Sequence, residues 1–253
     1  MKIVFPELAQ NQIAKEAIQA FPDIEFLLAP NLDAATEMLA KNEVDSIISG
    51  LDYSSRDVLL ACKAHIPLKS PYFSSCFVGE KDGKYLIIAD GGVNKQPTTE
   101  QLYTIVEDTA KTCEIFLEDT PRIAMLSYST KGSGGKNPDL NKIYSVIDQI
   151  SQNHENWFID GEMQLDAAIV PRIGEKKIDN SEVAGHANVL ITPDLNSGNI
   201  LYKSMEHLGG WTMAGPILQG FIKPIADLSR GSSKEDIILT IKVIQKQLER
   251  NTK

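Results

Sequence analysis

Cysteine is scarce and scattered in this chain. Cys62, Cys76 and Cys113 are the only three in 253 residues. An odd number at irregular spacing, with no Cys-x-x-Cys and no Cys/His cluster, supports neither a disulfide framework nor a structural zinc site. Basic charge is also short. Twenty-five Lys and Arg against 34 Asp and Glu leave a net charge of −9. That balance argues against a nucleic-acid-binding surface, though a local basic pocket remains compatible with it. No apolar run is long enough to span a bilayer, and the opening Met1-Lys-Ile-Val-Phe-Pro6 lacks the apolar core of a signal peptide. The expectation is a cytoplasmic protein with reduced thiols and neither a nucleic-acid nor a membrane partner. Familiar catalytic motifs are missing too. There is no Gly-x-Ser-x-Gly elbow, no Gly-x-Gly-x-x-Gly fingerprint and no Walker loop. His65, His154, His186 and His207 fall in no recognisable nucleophile or metal pattern.

What is present is an ordinary globular composition, 42% apolar and 23% charged, in a chain long enough to bury a substantial core. Apolar runs alternate with helical patterns. Strands are expected at 2–5, 26–29 and 46–49, each followed by a helix, at 11–20, 32–41 and 54–64. This β-α order predicts an α/β fold with a parallel sheet. The middle of the chain differs in texture. Residues 72–79 and 84–90 read as strands joined by the turn signal Lys81-Asp-Gly83, followed by a long helix over 98–117. Further strands are expected at 122–127, 157–160, 189–192 and 213–219, with helices at 140–153, 164–170, 199–208 and 233–247. The pattern suits a two-lobed α/β protein with a cleft. The first lobe is discontinuous, 1–66 with 227–253, and the second is the intervening 67–226.

Several loops carry polar chemistry at strand ends, where parallel sheets place their ligands. The segment from Gly215 to Asp236 sets a hydroxyl (Ser229), a guanidinium (Arg230) and Gly231 directly before a helix. An arginine beside a helix N-terminus is a natural receptor for a phosphate-bearing group, and Asp236 in the first turn is a candidate base. The same residues also fit plain capping, with Ser232 or Ser233 as the cap and Glu235 or Asp236 completing a capping box. Ser129-Thr-Lys-Gly-Ser-Gly-Gly135 offers backbone N–H groups, hydroxyls and Lys131 to an anion, or is a solvated turn. Asp160, Glu162 and Asp166 crowd seven residues, read as a helix start with acidic first-turn residues. Asn196 and Asn199 are ligand contacts or caps.

Taken together these segments resemble the phosphate acetyltransferase (phosphotransacetylase) family. The resemblance runs in order through Lys2–Glu7, Asp90–Asn94, Ala124–Ser133, Asp160–Ala168, Val183–Asn188, Pro193–Ile200 and the Gly215–Asp236 segment. It implies an isocitrate/isopropylmalate dehydrogenase-like two-domain fold and a homodimer. The implied activity is reversible transfer of an acetyl or other short acyl group between an acyl phosphate and coenzyme A, with inorganic phosphate as the other product. Coenzyme A is then a substrate, and neither a metal nor a nicotinamide cofactor is implied. Ser229, Arg230 and Asp236 match the family's functional residues, with Asp236 taking the thiol proton. The substrate-binding candidates are Ser129, Thr130, Lys131, Gly132, Ser133, Asn196, Asn199 and Arg56. Two departures stand out: the chain is shortened between Leu28 and Ser46, and Leu60-Ala61 occupies the place of a family Arg-Pro pair. Arg56, one turn earlier on the same helical face, is the candidate substitute. The alternative reading is a non-catalytic paralogue that binds coenzyme A or acyl phosphate and regulates a partner.

Overall fold

The structure, a computed structural model, describes residues 1–135 and 137–251. Its contacts divide the chain into two compact units, Met1–Phe73 with the chain from Thr212 onward, and Ser74–Trp211.

In the first unit, β1 (Lys2–Val4) pairs in parallel with both β2 (Glu25–Leu27) and β3 (Ser46–Ser49). Helices α1 (Gln12–Ala17), α2 (Leu32–Ala40) and α3 (Ser55–His65) each begin at a side-chain cap, Asn11, Asn31 and Ser54 respectively. Each cap accepts one of the orphan N–H groups of its helix. All four residues of β3 are buried, the mark of a strand covered on both faces.

The second unit begins with β4 (Ser74–Lys81) and β5 (Lys84–Ala89), an antiparallel hairpin. Its turn residues Asp82 and Gly83 both take positive φ, 52° and 75°, which Asp-Gly allows at little cost. Helix α4 (Thr99–Phe116) opens on a full capping box between Thr98 and Gln101. Strands β6 (Arg122–Leu126), β7 (Phe158–Met163) and β8 (Val189–Ile191) run parallel, with β8 between β5 and β6 and with β7 beyond β6. Helices α5 (Pro138–Asn153), α6 (Leu165–Ile169), α7 (Pro171–Lys177) and α8 (Leu195–His207) complete it. The Phe77 and Tyr202 rings stack at 3.7 Å between centroids and tie α8 to the sheet.

The chain then returns to the first unit through β9 (Thr212–Gln219), β10 (Ile225–Asp227) and α9 (Lys234–Asn251). β10 lies parallel to β3 and antiparallel to β9. α9 buries Ile237, Thr240, Ile241 and Ile244, a helical stripe. Each aliphatic member of that stripe contributes roughly 1.5–3 kcal/mol.

Four differences from the sequence expectations have physical causes. Residues 67–73 and 212–226 fall in the first unit rather than the second, because β9 pairs with β10 and packs under α9. Strand β10 was not expected: three residues after Pro224 are too few to show a period. Helix α7 was likewise missed, since it starts at Pro171 directly after the C-cap of α6. Strand β7 continues through Gly161 to Met163 rather than ending at Gly161, so Asp160 and Glu162 are strand residues and only Asp166 lies in a helical first turn. Residues 252–253 of the expected first lobe lie outside those described.

Candidate active site

In the first unit the C-terminal ends of β1, β3 and β10 assemble a buried acidic floor. Glu7 follows β1 in a single 3-10 turn and is 3% exposed. Its Oε1 accepts from Ser49 Oγ at 3.0 Å and from Gly50 N at 2.7 Å. Asp227 closes β10 opposite Ser49 and is 1% exposed. The next amide, Leu228 N–H, donates to Ser49 O at 2.6 Å. Burial pushes the Asp227 carboxyl up to about 7; a hydrogen bond with Ser55 opposes the shift and the charge of Glu7 adds to it. Gly50 makes the approach possible. It holds φ +108°, and a side-chain carbon there would collide with Asp227 Oδ1 and lie 2.7 Å from Leu228 N.

Ser229 and Arg230 stand two and three residues beyond Asp227. Ser229 N–H donates to Ser232 Oγ at 3.1 Å, and Ser232 N–H donates to Ser229 O at 2.9 Å. Ser229 Oγ accepts from Gly231 N–H at 3.3 Å, which leaves its own hydrogen for an outside acceptor. Arg230 is exposed, and among the described residues no carboxylate pairs with it. Arg56 is also exposed, in the first turn of α3. Its neighbour Ser55 bonds Asp227, so the start of α3 adjoins the strand end from which the Ser229–Arg230 loop departs.

Asp236 takes a different position from the two residues it was grouped with. It is 4% exposed and forms a capping box at the start of α9. Ser233 N–H and Ser233 Oγ both donate to Asp236 Oδ2 at 2.7 Å, while Asp236 N–H donates to Ser233 Oγ at 3.1 Å. Asp236 Oδ1 accepts from Met213 N at 2.8 Å, joining α9 to β9. Thr240 Oγ1 repeats the link one turn on, donating to Asp236 O and accepting from Gly215 N–H.

The Ser129–Gly135 loop lies in the second unit and is organised around Glu162, which is buried. Glu162 Oε1 accepts from Ser129 Oγ at 2.6 Å and Gly132 N at 2.8 Å, and Oε2 accepts from Tyr144 Oη at 2.5 Å. Burial pushes the Glu162 carboxyl up, but the bonds from Ser129, Tyr144 and Gly132 outweigh it and hold the group below its ordinary range. The same carboxylate drives the Tyr144 phenol up to about 12. Ser129 Oγ also accepts from Gly134 N–H, Ser133 Oγ from Thr130 N–H, and Thr130 Oγ1 from Gln164 N–H. Lys131 pairs with Asp160. The loop's donors are thus committed largely within the protein. Asn199 Nδ2 donates to Gly91 O at 3.2 Å, a bond that fastens α8 to the Asp90 loop, and Asn196 is exposed.

The floor and its loop were only partly visible beforehand. Ser229, Arg230 and Arg56 belong to the first unit, whereas Ser129–Ser133, Asn196 and Asn199 belong to the second. Glu7, Asp227, Ser55 and Tyr144 were not singled out, and Glu162 was read only as an acid at a helix start. The available signal was a carboxylate at the end of an apolar strand, as in Phe5-Pro-Glu7 and Ile225-Ala-Asp227.

Buried carboxylates and a polar loop lie at parallel strand ends, the place where α/β sheets of this kind carry their ligands. A 4-hydroxythreonine-4-phosphate dehydrogenase from Salmonella typhimurium shares the fold, with a TM-score of 0.57, 14% identity, and coverage of 98% of this chain and 83% of that one. The chain belongs to the phosphate acetyl/butaryl transferase family, which matches residues 10–244. It is similar to a phosphate acetyltransferase of Treponema pallidum, 39% identical over 216 residues that make up 81% of this chain and 64% of that relative. The chain therefore spans under two thirds of that relative's length. Its structure is similar to a phosphotransacetylase from Streptococcus pyogenes, with a TM-score of 0.87, 29% identity, and coverage of 99% of this chain and 94% of that one. Among the described residues no helix is long and apolar enough to cross a membrane, and no three His, Cys, Asp or Glu side chains cluster to hold a metal ion.

Proposed function

We propose that this chain transfers an acetyl or other short acyl group between an acyl phosphate and coenzyme A. The observation that carries the proposal is Arg230, exposed and without an acidic partner among the described residues, beside the Ser229 hydroxyl on the loop before α9. A guanidinium is suited to hold the phosphate oxygens and to offset charge as it develops. Ser229 donates its hydroxyl hydrogen to the reacting group. The coenzyme A thiolate attacks the acyl carbon, the C–S bond forms, and the bond from carbon to phosphate oxygen breaks. Inorganic phosphate leaves. The thiol proton must be removed, since the thiolate is the nucleophile, and it ends on the departing phosphate or in solvent.

Asp236 is the base suggested by the family resemblance. The bonds it accepts from Ser233 and Met213 support a positioning role: it fixes the start of α9, and with it the end of the Ser229–Arg230 loop. Arg56 is proposed to assist in holding coenzyme A, and the chain to act as a homodimer, which light scattering would test. The activity is tested with purified protein, acetyl phosphate and coenzyme A, following thioester absorbance across a panel of acyl phosphates. Turnover supports the proposal. Coenzyme A binding without turnover from any acyl donor would make the chain a binding protein.

A further inference from the structure

The acidic floor poses a problem that the proposed chemistry does not solve. Glu7 and Asp227 are both buried, both lie against Ser49–Gly50, and each keeps one buried oxygen, Oε2 and Oδ1 respectively, without a hydrogen-bond partner. Two ionised carboxylates in such a place repel each other, and neither lone oxygen has a donor. One proton removes both faults. A protonated Asp227 gives its unpartnered oxygen a hydrogen to donate, and the unpartnered oxygen of Glu7 is an acceptor within the same floor.

We propose that Asp227 is a positioning acid that holds a proton beside Glu7 on the acid side of neutrality, which keeps it from adding a second carboxylate charge to the floor next to the Ser229–Arg230 loop, and that loss of this proton weakens the loop's hold on an anionic phosphate group. This rests on the phosphate-receiving role proposed for the loop. The chain runs from Asp227 through Leu228 straight into Ser229, so a charge on Asp227 is felt where the anion binds. The titratable groups that act on Asp227 are Glu7, from the turn after β1, and Cys62, from α3. Burial, and to a lesser degree Asp227, drives the Cys62 thiol up to about 12, so that thiol stays neutral through the relevant range. The Asp227 carboxyl itself, pushed to about 7, changes charge near neutrality.

The test uses the full chain, its D227N and E7Q variants, and sulfate, a phosphate analogue whose charge does not change in this range. Carbon-13 NMR of protein labelled at the aspartate carboxyls reads the proton, and calorimetry reads sulfate affinity between pH 5.5 and 8.5. The expected result is a carboxyl signal titrating near pH 7 that is missing from D227N. Sulfate affinity should fall about threefold to tenfold across that titration in the native chain and stay flat in D227N, with E7Q moving the midpoint down. If no carboxyl titrates near neutrality, or if D227N follows the native affinity profile, the inference is overturned. Sulfate bound equally well by R230A overturns the phosphate-receiving reading of the loop instead, and the carboxyl signal still decides the state of Asp227.

Discussion

Ser233 and Asp236 are bonded to each other in both directions, the hydroxyl and amide of Ser233 donating to Asp236 Oδ2 and the Asp236 amide donating to Ser233 Oγ. With Oδ1 held by Met213 N–H, this one carboxylate caps α9 and fastens it to β9. Asp236→Asn is expected to lower stability by about 1–2 kcal/mol, and Ser233→Ala by about 1 kcal/mol, measured by urea unfolding. If Asp236 only positions the loop, Ser233→Ala should reduce turnover in step with Asp236→Asn. A much deeper loss in Asp236→Asn, with coenzyme A binding retained, would establish it as the base.

Glu162 gathers Ser129, Gly132 and Tyr144 into one hub. Glu162→Ala leaves those donors unsatisfied and is expected to cost about 3 kcal/mol, with Glu162→Gln costing less. The pH dependence follows from the direction in which the carboxyl is moved. The folded carboxyl lies below its ordinary range, so its contribution is fully present above that range and is lost as pH falls through the folded value. Acid unfolding of Glu162→Gln should therefore be shallower than that of the native chain. Coincident acid limbs would contradict this.

Asp227 has the opposite sign. Its folded carboxyl is raised to about 7, so the stability it contributes is complete below the ordinary carboxylate range and is lost as pH rises to about that value. A tenfold difference in proton affinity between the folded and unfolded chain corresponds to about 1.4 kcal/mol. The native chain should lose several degrees of melting temperature, relative to Asp227→Asn, between pH 5 and pH 8. A constant difference across that interval would be the contrary result.

Gly50 is the narrowest point of the floor. Gly50→Ala forces a side-chain carbon into Asp227 and Leu228 at a positive φ, and is expected to cost at least about 3 kcal/mol. Equal denaturant midpoints for the variant and the native chain would show that the floor yields more easily than its geometry indicates.

Much of this architecture was legible in the sequence because its signals are local. Asn11, Asn31, Ser54 and Thr98 mark helix starts by their own chemistry, and Asp82-Gly83 marks the hairpin. The Ile47-Ile48 pair ahead of Gly50 is enough to read 46–49 as a strand. The unread parts depend on distant partners. β10 exists because β3 and β9 flank it, and the assignment of β9 to the first unit follows from the same pairing. Glu162 looked like a helix-start acid until β7 placed it beneath Ser129 and Tyr144. Glu7 and Asp227 lie far apart in sequence, and only the strand order brings both to Ser49–Gly50. The Ser229–Arg230 loop stood out early because an arginine before a helix start is itself a local pattern.

Arg56 and Leu60 share a face of α3, and Leu60 is 56% exposed. Arg56→Ala is expected to weaken coenzyme A binding about fivefold to tenfold with little effect on stability, as read by direct titration. Unchanged affinity would remove Arg56 from the binding site.

The most direct test of the central claim is the rate of thioester formation from acetyl phosphate and coenzyme A by the native chain and by Arg230→Ala. The account predicts turnover by the native chain and a loss of about a hundredfold or more in the variant, with folding intact by circular dichroism. Equal rates in the two proteins, or no thioester from any acyl phosphate with the native chain, would contradict it.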